Sequence, residues 1–101
     1  MLDKRDFYID GKWVKPLVPN DFKVINPCNE DPCAIISLGS KDDTNAAVKS
    51  AKDAFTTWKE TTKKDRIHYL EKLLSVYKKR SGEMAEAISL EMGAPMDWAT
   101  D

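Results

Sequence analysis

The chain has 101 residues and a mass of 11.5 kDa, the size of one small domain with no length left for a second independent core. Hydrophobic residues at 42% and charged residues at 33% exclude a disordered polymer. Sixteen Lys and Arg against 17 Asp and Glu leave a net charge of −1, which excludes the basic excess that a phosphate backbone or an anionic membrane selects. A free-standing domain of this length buries only about 60–65% of its unfolded surface, so it is marginal unless further segments or a partner cover it.

Met1 to Asp10 alternates charged with apolar side chains and carries neither a signal-peptide nor a transit-peptide pattern. No apolar run approaches a membrane span, and a cytoplasmic, reducing setting is expected, with no membrane and no nucleic-acid partner. Phe7-Tyr8-Ile9 and Trp13-Val14 flank Asp10-Gly11, which predicts a hairpin from about Phe7 to Val14. Pro16, Pro19 and Asn20 interrupt the alternation, and Phe22 to Ile25 resumes it. Asn26-Pro27 with Asn29 makes a turn, and a third strand is expected from Cys33 to Leu38, ended by Gly39-Ser40.

From Asp42 the apolar period changes from two to 3.6. Ala47, Val48, Ala51, Ala54, Phe55 and Trp58 form one stripe, predicting an amphipathic helix from about Asp43 to Lys59 with acidic residues at its positive end. Trp58 closes that stripe and is expected to be buried against the next helix. Thr62-Lys63-Lys64-Asp65 has the form of a capping box with Asp in place of Glu. Ile67, Leu70, Leu74, Tyr77, Ser81, Met84 and Ile88 then recur at alternating steps of three and four, one continuous face. Ser81-Gly82 predicts a break or kink, with a new helix from about Gly82 to Met92. Gly93 and Pro95 end the helical region.

No active site assembles from these residues. His68, the single histidine, lies on the polar flank of the second helix with no serine or cysteine spaced to pair with it. Cys28 and Cys33 neither precede a helix nor sit in a cationic cluster, so they read as turn and strand residues. Asp42 with Asp43, and Glu83 with Glu86, read as solvated helix-surface carboxylates. Lys78-Lys79-Arg80 reads as a basic helix end. Trp13, Trp58 and Trp98 offer stacking surfaces, with Trp58 assigned to packing. There is no GxGxxG and no Walker loop.

The hairpin Phe7 to Val14, Val24-Ile25-Asn26-Pro27, the strand ending at Gly39, the Ala47–Trp58 stripe, Arg66 with Leu70 and Leu73-Leu74, and Glu91-Met92-Gly93-Ala94-Pro95 stand in an order that resembles the NAD(P)-dependent aldehyde dehydrogenases. The resemblance runs from about Phe7 to Pro95 and is to the N-terminal segment of that family. Ala94 stands where the family commonly has lysine in its Glu-x-Gly-Lys-Pro turn. The resemblance implies oxidation of an aldehyde to a carboxylic acid with NAD or NADP, through a cysteine thiohemiacetal, hydride transfer and glutamate-assisted thioester hydrolysis. It places the nucleophilic cysteine, the glutamate, the oxyanion-hole asparagine and the cofactor-binding glycines beyond Asp101; neither Cys28 nor Cys33 matches the nucleophile. No catalytic or cofactor-binding residue is therefore assigned within the chain. The backbone carbonyls of Val24 and Ile25 match positions that hold a monovalent cation in some members.

The expected fold class is α+β as a fragment. A hairpin and short strands occupy residues 1–40 and two or three amphipathic helices residues 41–95, forming part of an α/β cofactor domain with the catalytic domain absent. The implied partners are the remainder of the dehydrogenase and its other subunits in a homo-oligomer, with the chain alone inactive. The alternative is a stand-alone helical protein–protein interaction module using the Ile67 to Ile88 face.

Overall fold

The computed structural model describes residues 1–101. Two compact units divide the chain: Met1–Ile25 with Pro32–Lys59, and Asn26–Asp31 with Glu60–Asp101. In the first unit the expected hairpin is present, β2 (Phe7–Ile9) and β3 (Lys12–Val14) pairing antiparallel with Phe7 opposite Val14 and Tyr8 opposite Trp13. Asp10 and Gly11 both adopt positive φ, 56° and 73°, as a two-residue turn matched to strand twist requires. On one hairpin face Tyr8 and Trp13 meet edge to face, ring centroids 5.2 Å apart. Phe7, Ile9 and Val14 on the other are half-buried.

A three-stranded sheet in the order β1–β5–β4 completes the strands. β5 (Pro32–Ser37) is central, antiparallel to β4 (Asp21–Ile25) and parallel to β1 (Leu2–Lys4). Ala34 and Ser37 of β5 are buried. β1 lies outside the sequence expectation because Leu-Asp-Lys carries one apolar residue and no alternation; its pairing comes from the edge that β5 offers.

Helix α1 (Lys41–Trp58) starts two residues before the predicted boundary, capped by Ser40. The Ser40 hydroxyl accepts the Asp43 N–H at 3.2 Å, and Asp43 Oδ2 accepts the Ser40 N–H at 3.0 Å, a closed capping box. The hairpin meets α1 through its polar flank. Ile9 and Asp10 lie along Ala46, Lys49, Ser50 and Asp53, and the Ser50 hydroxyl donates to Asp10 at 3.2 Å. The large residues of the apolar stripe stay exposed, Val48 and Phe55 among them, while Ala47 is half-buried and Ala54 lies beside the hairpin turn; Trp58, expected to be buried, is 44% exposed on the last turn of α1.

In the second unit, α2 runs unbroken from Lys63 to Met92, capped at Thr62 by the expected box with Asp65. The break predicted at Ser81-Gly82 is absent. Arg80 Nε pairs with Glu83 at 2.7 Å across the same turn, and one interior glycine costs only about 1 kcal/mol, too little to interrupt a 30-residue helix. Lys78-Lys79-Arg80 is accordingly mid-helix and caps nothing. Gly93 ends α2 in the left-handed conformation, φ 73°, donating its N–H to the Ser89 carbonyl at 2.9 Å. A short α3 (Met96–Thr100) follows Pro95 and packs on α2. No helix is long and apolar enough to cross a membrane.

The loop Asn26–Asp31 closes on itself. Asn26 N–H donates to the Asp31 carbonyl at 2.9 Å, and its side chain accepts the Cys28 N–H at 2.9 Å. Its Pro27 lies so near Gly93 that a Cβ there would stand 3.0 Å from Pro27 Cγ. Gly82, by contrast, has open space around it. Gly93→Ala should therefore destabilise by about 1–2 kcal/mol, while Gly82→Ala stabilises by about 0.5–1 kcal/mol. Urea unfolding followed by far-ultraviolet circular dichroism checks both signs.

Candidate functional site

Arg5, on the link between β1 and β2, reaches over the three-stranded sheet. Its Nε and Nη2 donate to Asp3 Oδ1 and Oδ2 at 2.9 and 2.7 Å, and its Nη1 donates to Asp21 at 3.3 Å, so the guanidinium, just past the end of β1, ties that strand to the start of β4. The Asp3 bond raises the Arg5 pKa beyond its usual range, and the same bond holds the Asp3 carboxyl below its own. A groove of about 780 Å³ opens beside this clasp, lined by Asp6, Trp13, Lys15, Pro16 and Asp21 among others. Its acidic and basic side chains balance, and it is lined by no thiol, hydroxyl or imidazole. A guanidinium locked between carboxylates neither takes nor gives a proton at neutral pH. The groove is a charged clasp beside an exposed indole.

Asp43 departs most from the sequence reading. Instead of a solvated helix-surface carboxylate it is a buried one, 6% exposed. Its Oδ1 accepts the Leu17 N–H at 3.0 Å from the loop between β3 and β4, and its Oδ2 accepts both the Ser40 N–H and, at 2.9 Å, the Ser40 hydroxyl. The Leu17 amide, then the Ser40 amide, hold its carboxyl below the ordinary value against the opposing effect of burial. The residue is structural: it fastens the 15–20 loop to the start of α1. Its neighbour Asp42 is exposed, as expected. The signal for Asp43 was present in Ser40-x-x-Asp43, a capping box read only as a strand end.

The other sequence candidates do not converge. His68 is exposed, tilted against Tyr69 at 6.4 Å between centroids. Cys28 is exposed on the loop; Cys33 is half-buried on β5, its thiol donating to the Val24 carbonyl at 3.4 Å. Glu83 is held by Arg80, Glu86 is exposed, and Trp98 stands exposed on α3. No group of three or more His, Cys, Asp or Glu side chains is placed to hold a metal ion. Val24 and Ile25 end β4, an outer strand, and a register shift falls between them. Regular strand geometry turns successive carbonyls to opposite sides; a bulge relaxes that alternation. Opposite Ile25 stands Pro32, which has no N–H to give to a ladder.

The hairpin, the parallel–antiparallel sheet and the two long helices give the chain mixed α/β content. The chain belongs to the aldehyde dehydrogenase family, whose model matches residues 13–101. It is 42% identical over 96 residues to the 3-succinoylsemialdehyde-pyridine dehydrogenase of a Pseudomonas species, matching 95% of this chain and 20% of that protein. Among solved structures, an aldehyde dehydrogenase from Bartonella henselae superposes with a TM-score of 0.97 and 52% identity, over 99% of this chain and 21% of the other. Aldehyde dehydrogenase C from Pseudomonas syringae, a mutant in complex with NAD+ and octanal, superposes with a TM-score of 0.92 and 38% identity, over 95% of this chain and 20% of the other. The chain spans about one fifth of the length of these relatives.

Two outcomes follow from the geometry. Because the Asp43 pKa is depressed in the folded state, its contribution to stability is complete above the ordinary carboxylate pKa and drains away as pH falls through the folded-state value. Asp43→Asn should lower the melting temperature at pH 7 and narrow its difference from wild type toward pH 3, measured by thermal melts across that range. A maleimide should label the exposed Cys28 several-fold faster than Cys33, read by peptide mass spectrometry.

Proposed function

We propose that these 101 residues form the N-terminal part of an NAD-dependent enzyme that oxidises an aldehyde to a carboxylic acid. The observation that carries this reading is the surface. Val48 and Phe55 of α1 and Leu70 and Leu74 of α2 are each more than half exposed, on helices that are otherwise fully capped. Apolar stripes left at the surface in this way mark faces that further polypeptide or a partner covers. In the proposed enzyme the remainder of the polypeptide covers those stripes, and the other subunits of a homo-oligomer complete the assembly in the cytoplasm.

NAD is the cofactor favoured, because relatives with this fold are known in complex with it. NAD supplies the hydride acceptor; its site lies outside the residues described. Neither cysteine serves as nucleophile. Cys33 donates its thiol to a backbone carbonyl, and Cys28 sits on an exposed loop without a neighbouring base. Val24 and Ile25 would offer backbone oxygens to a monovalent cation at the bulge of β4, where hard cations and carbonyl dipoles suit one another. That ion would be structural and would take no part in hydride transfer.

The 101-residue chain alone should form no NADH from any aldehyde, while its full-length parent should do so. Enzyme-dependent NADH formation by the short chain, or a parent without NAD-dependent aldehyde oxidation, would overturn the reading. In the parent, the double variant Cys28→Ser/Cys33→Ser should keep kcat within about threefold of wild type, since neither thiol touches the reacting atoms.

A further inference from the structure

Asp10-Gly11 is the only Asp-Gly pair in the chain, and no Asn-Gly pair occurs. Glycine has no side chain to shield its nitrogen, so Asp10 is the aspartate whose carboxyl is most open to attack by the next backbone nitrogen. The pair is exposed at the tip of a two-stranded sheet with three residues on each strand, and neither strand has a further neighbour. A hairpin of that size is marginal in water, and its turn opens locally. Two features hold it closed. The left-handed backbone at Asp10, φ 56°, turns the Gly11 nitrogen away from the Asp10 side chain, and the Ser50 hydroxyl of α1 donates to Asp10 Oδ1 at 3.2 Å.

We propose that Asp10 converts to isoaspartate through a cyclic imide with Gly11, at a rate set by opening of the hairpin turn, with Ser50 as the latch. In the opened turn the Gly11 nitrogen bonds to Asp10 Cγ. The nitrogen's proton and one from solvent leave with a carboxyl oxygen as water, closing a five-membered ring. Water then adds to the Asp10 main-chain carbonyl carbon and breaks its bond to the Gly11 nitrogen; that nitrogen regains a proton, and the other returns to solvent. Nothing is oxidised or reduced, and the mass is unchanged. The main chain now runs through Cβ and Cγ, one atom longer, and the former main-chain carbonyl is a free carboxylate. A two-residue turn with left-handed backbone at both positions no longer closes over it, so the pairing of Ile9 with Lys12 beside the turn is lost.

The 101-residue chain held at neutral pH and body temperature for several weeks should accumulate isoaspartate at Asp10 above every other aspartate. Peptide mass spectrometry with electron-transfer fragmentation distinguishes the two linkages, and an isoaspartyl methyltransferase labels only the β-linked form. Ser50→Ala removes the latch without harming α1, since alanine is the better helix former, and should raise the rate about two- to fivefold. Denaturation in guanidinium chloride should raise it at least about fivefold over the folded chain. Asp10→Asn keeps the turn chemistry and passes through the same ring with ammonia as the leaving group; Ser50→Ala should accelerate its loss of ammonia likewise. A folded chain without isoaspartate at Asp10 overturns the site. Equal rates in the folded and denatured chain overturn control by the turn, and an unchanged rate in Ser50→Ala overturns the latch. NADH formation enters none of these readouts, so they are independent of the dehydrogenase reading.

Discussion

Hydrophobic side chains stabilise a fold only when they leave water, and this chain is too short to remove most of its own. The buried hydrophobic set consists of Ala34 and Ala85, and no large side chain is completely enclosed. Each additional buried Leu, Phe or Trp would contribute about 1.5–3 kcal/mol, and α1 and α2 hold many of them at the surface. The organisation therefore depends on covering surface from outside. The sheet, the hairpin and the two long helices are locally well made, and each presents a face that its own unit leaves uncovered.

What the chain does supply internally is local and polar. Ser40 with Asp43 and Thr62 with Asp65 close the two helix starts, Gly93 closes the end of α2, and Asp10-Gly11 turns the hairpin. Two carboxylates extend this local chemistry into tertiary structure. Asp43 bonds Leu17, 26 residues earlier, and so converts a helix cap into an anchor for a loop. Asp21 accepts from Arg5, already held by Asp3, and so joins both outer strands of the sheet. The Arg5 pairs are exposed and weak singly; their effect is to fix register where few apolar contacts do.

The features legible in the sequence are those decided within about five residues. The hairpin register, the third strand to within one residue and the Thr62 box follow from local rules, and the ordered set of such features carried the family. The misreadings have one origin, which is that local rules were applied where distant partners or neighbouring turns decide. β1 forms because β5 lends it an edge; Asp43 is buried because Leu17 reaches it. α2 continues through Ser81-Gly82 because one interior glycine costs only about 1 kcal/mol and the Arg80–Glu83 pair spans the turn. Trp58 closes an apolar stripe in the sequence, but whether a stripe is buried depends on what lies opposite, and the hairpin turn reaches that stripe only at its edge, by Ala54. The candidate site was the least legible for the same reason. A catalytic set is a tertiary juxtaposition, which spacing along one chain segment does not specify.

An apolar helix face fixes how strongly it binds without fixing what binds it. In a longer polypeptide, a covalently linked segment meets the α2 seam at an effective concentration in the millimolar range, set by the linker rather than by dilution. The spacing therefore sets which side of α2 is apolar, and whatever is held opposite sets whether that side is buried, which is why the stretch from Ile67 to Tyr77 is exposed in a unit that places nothing against it.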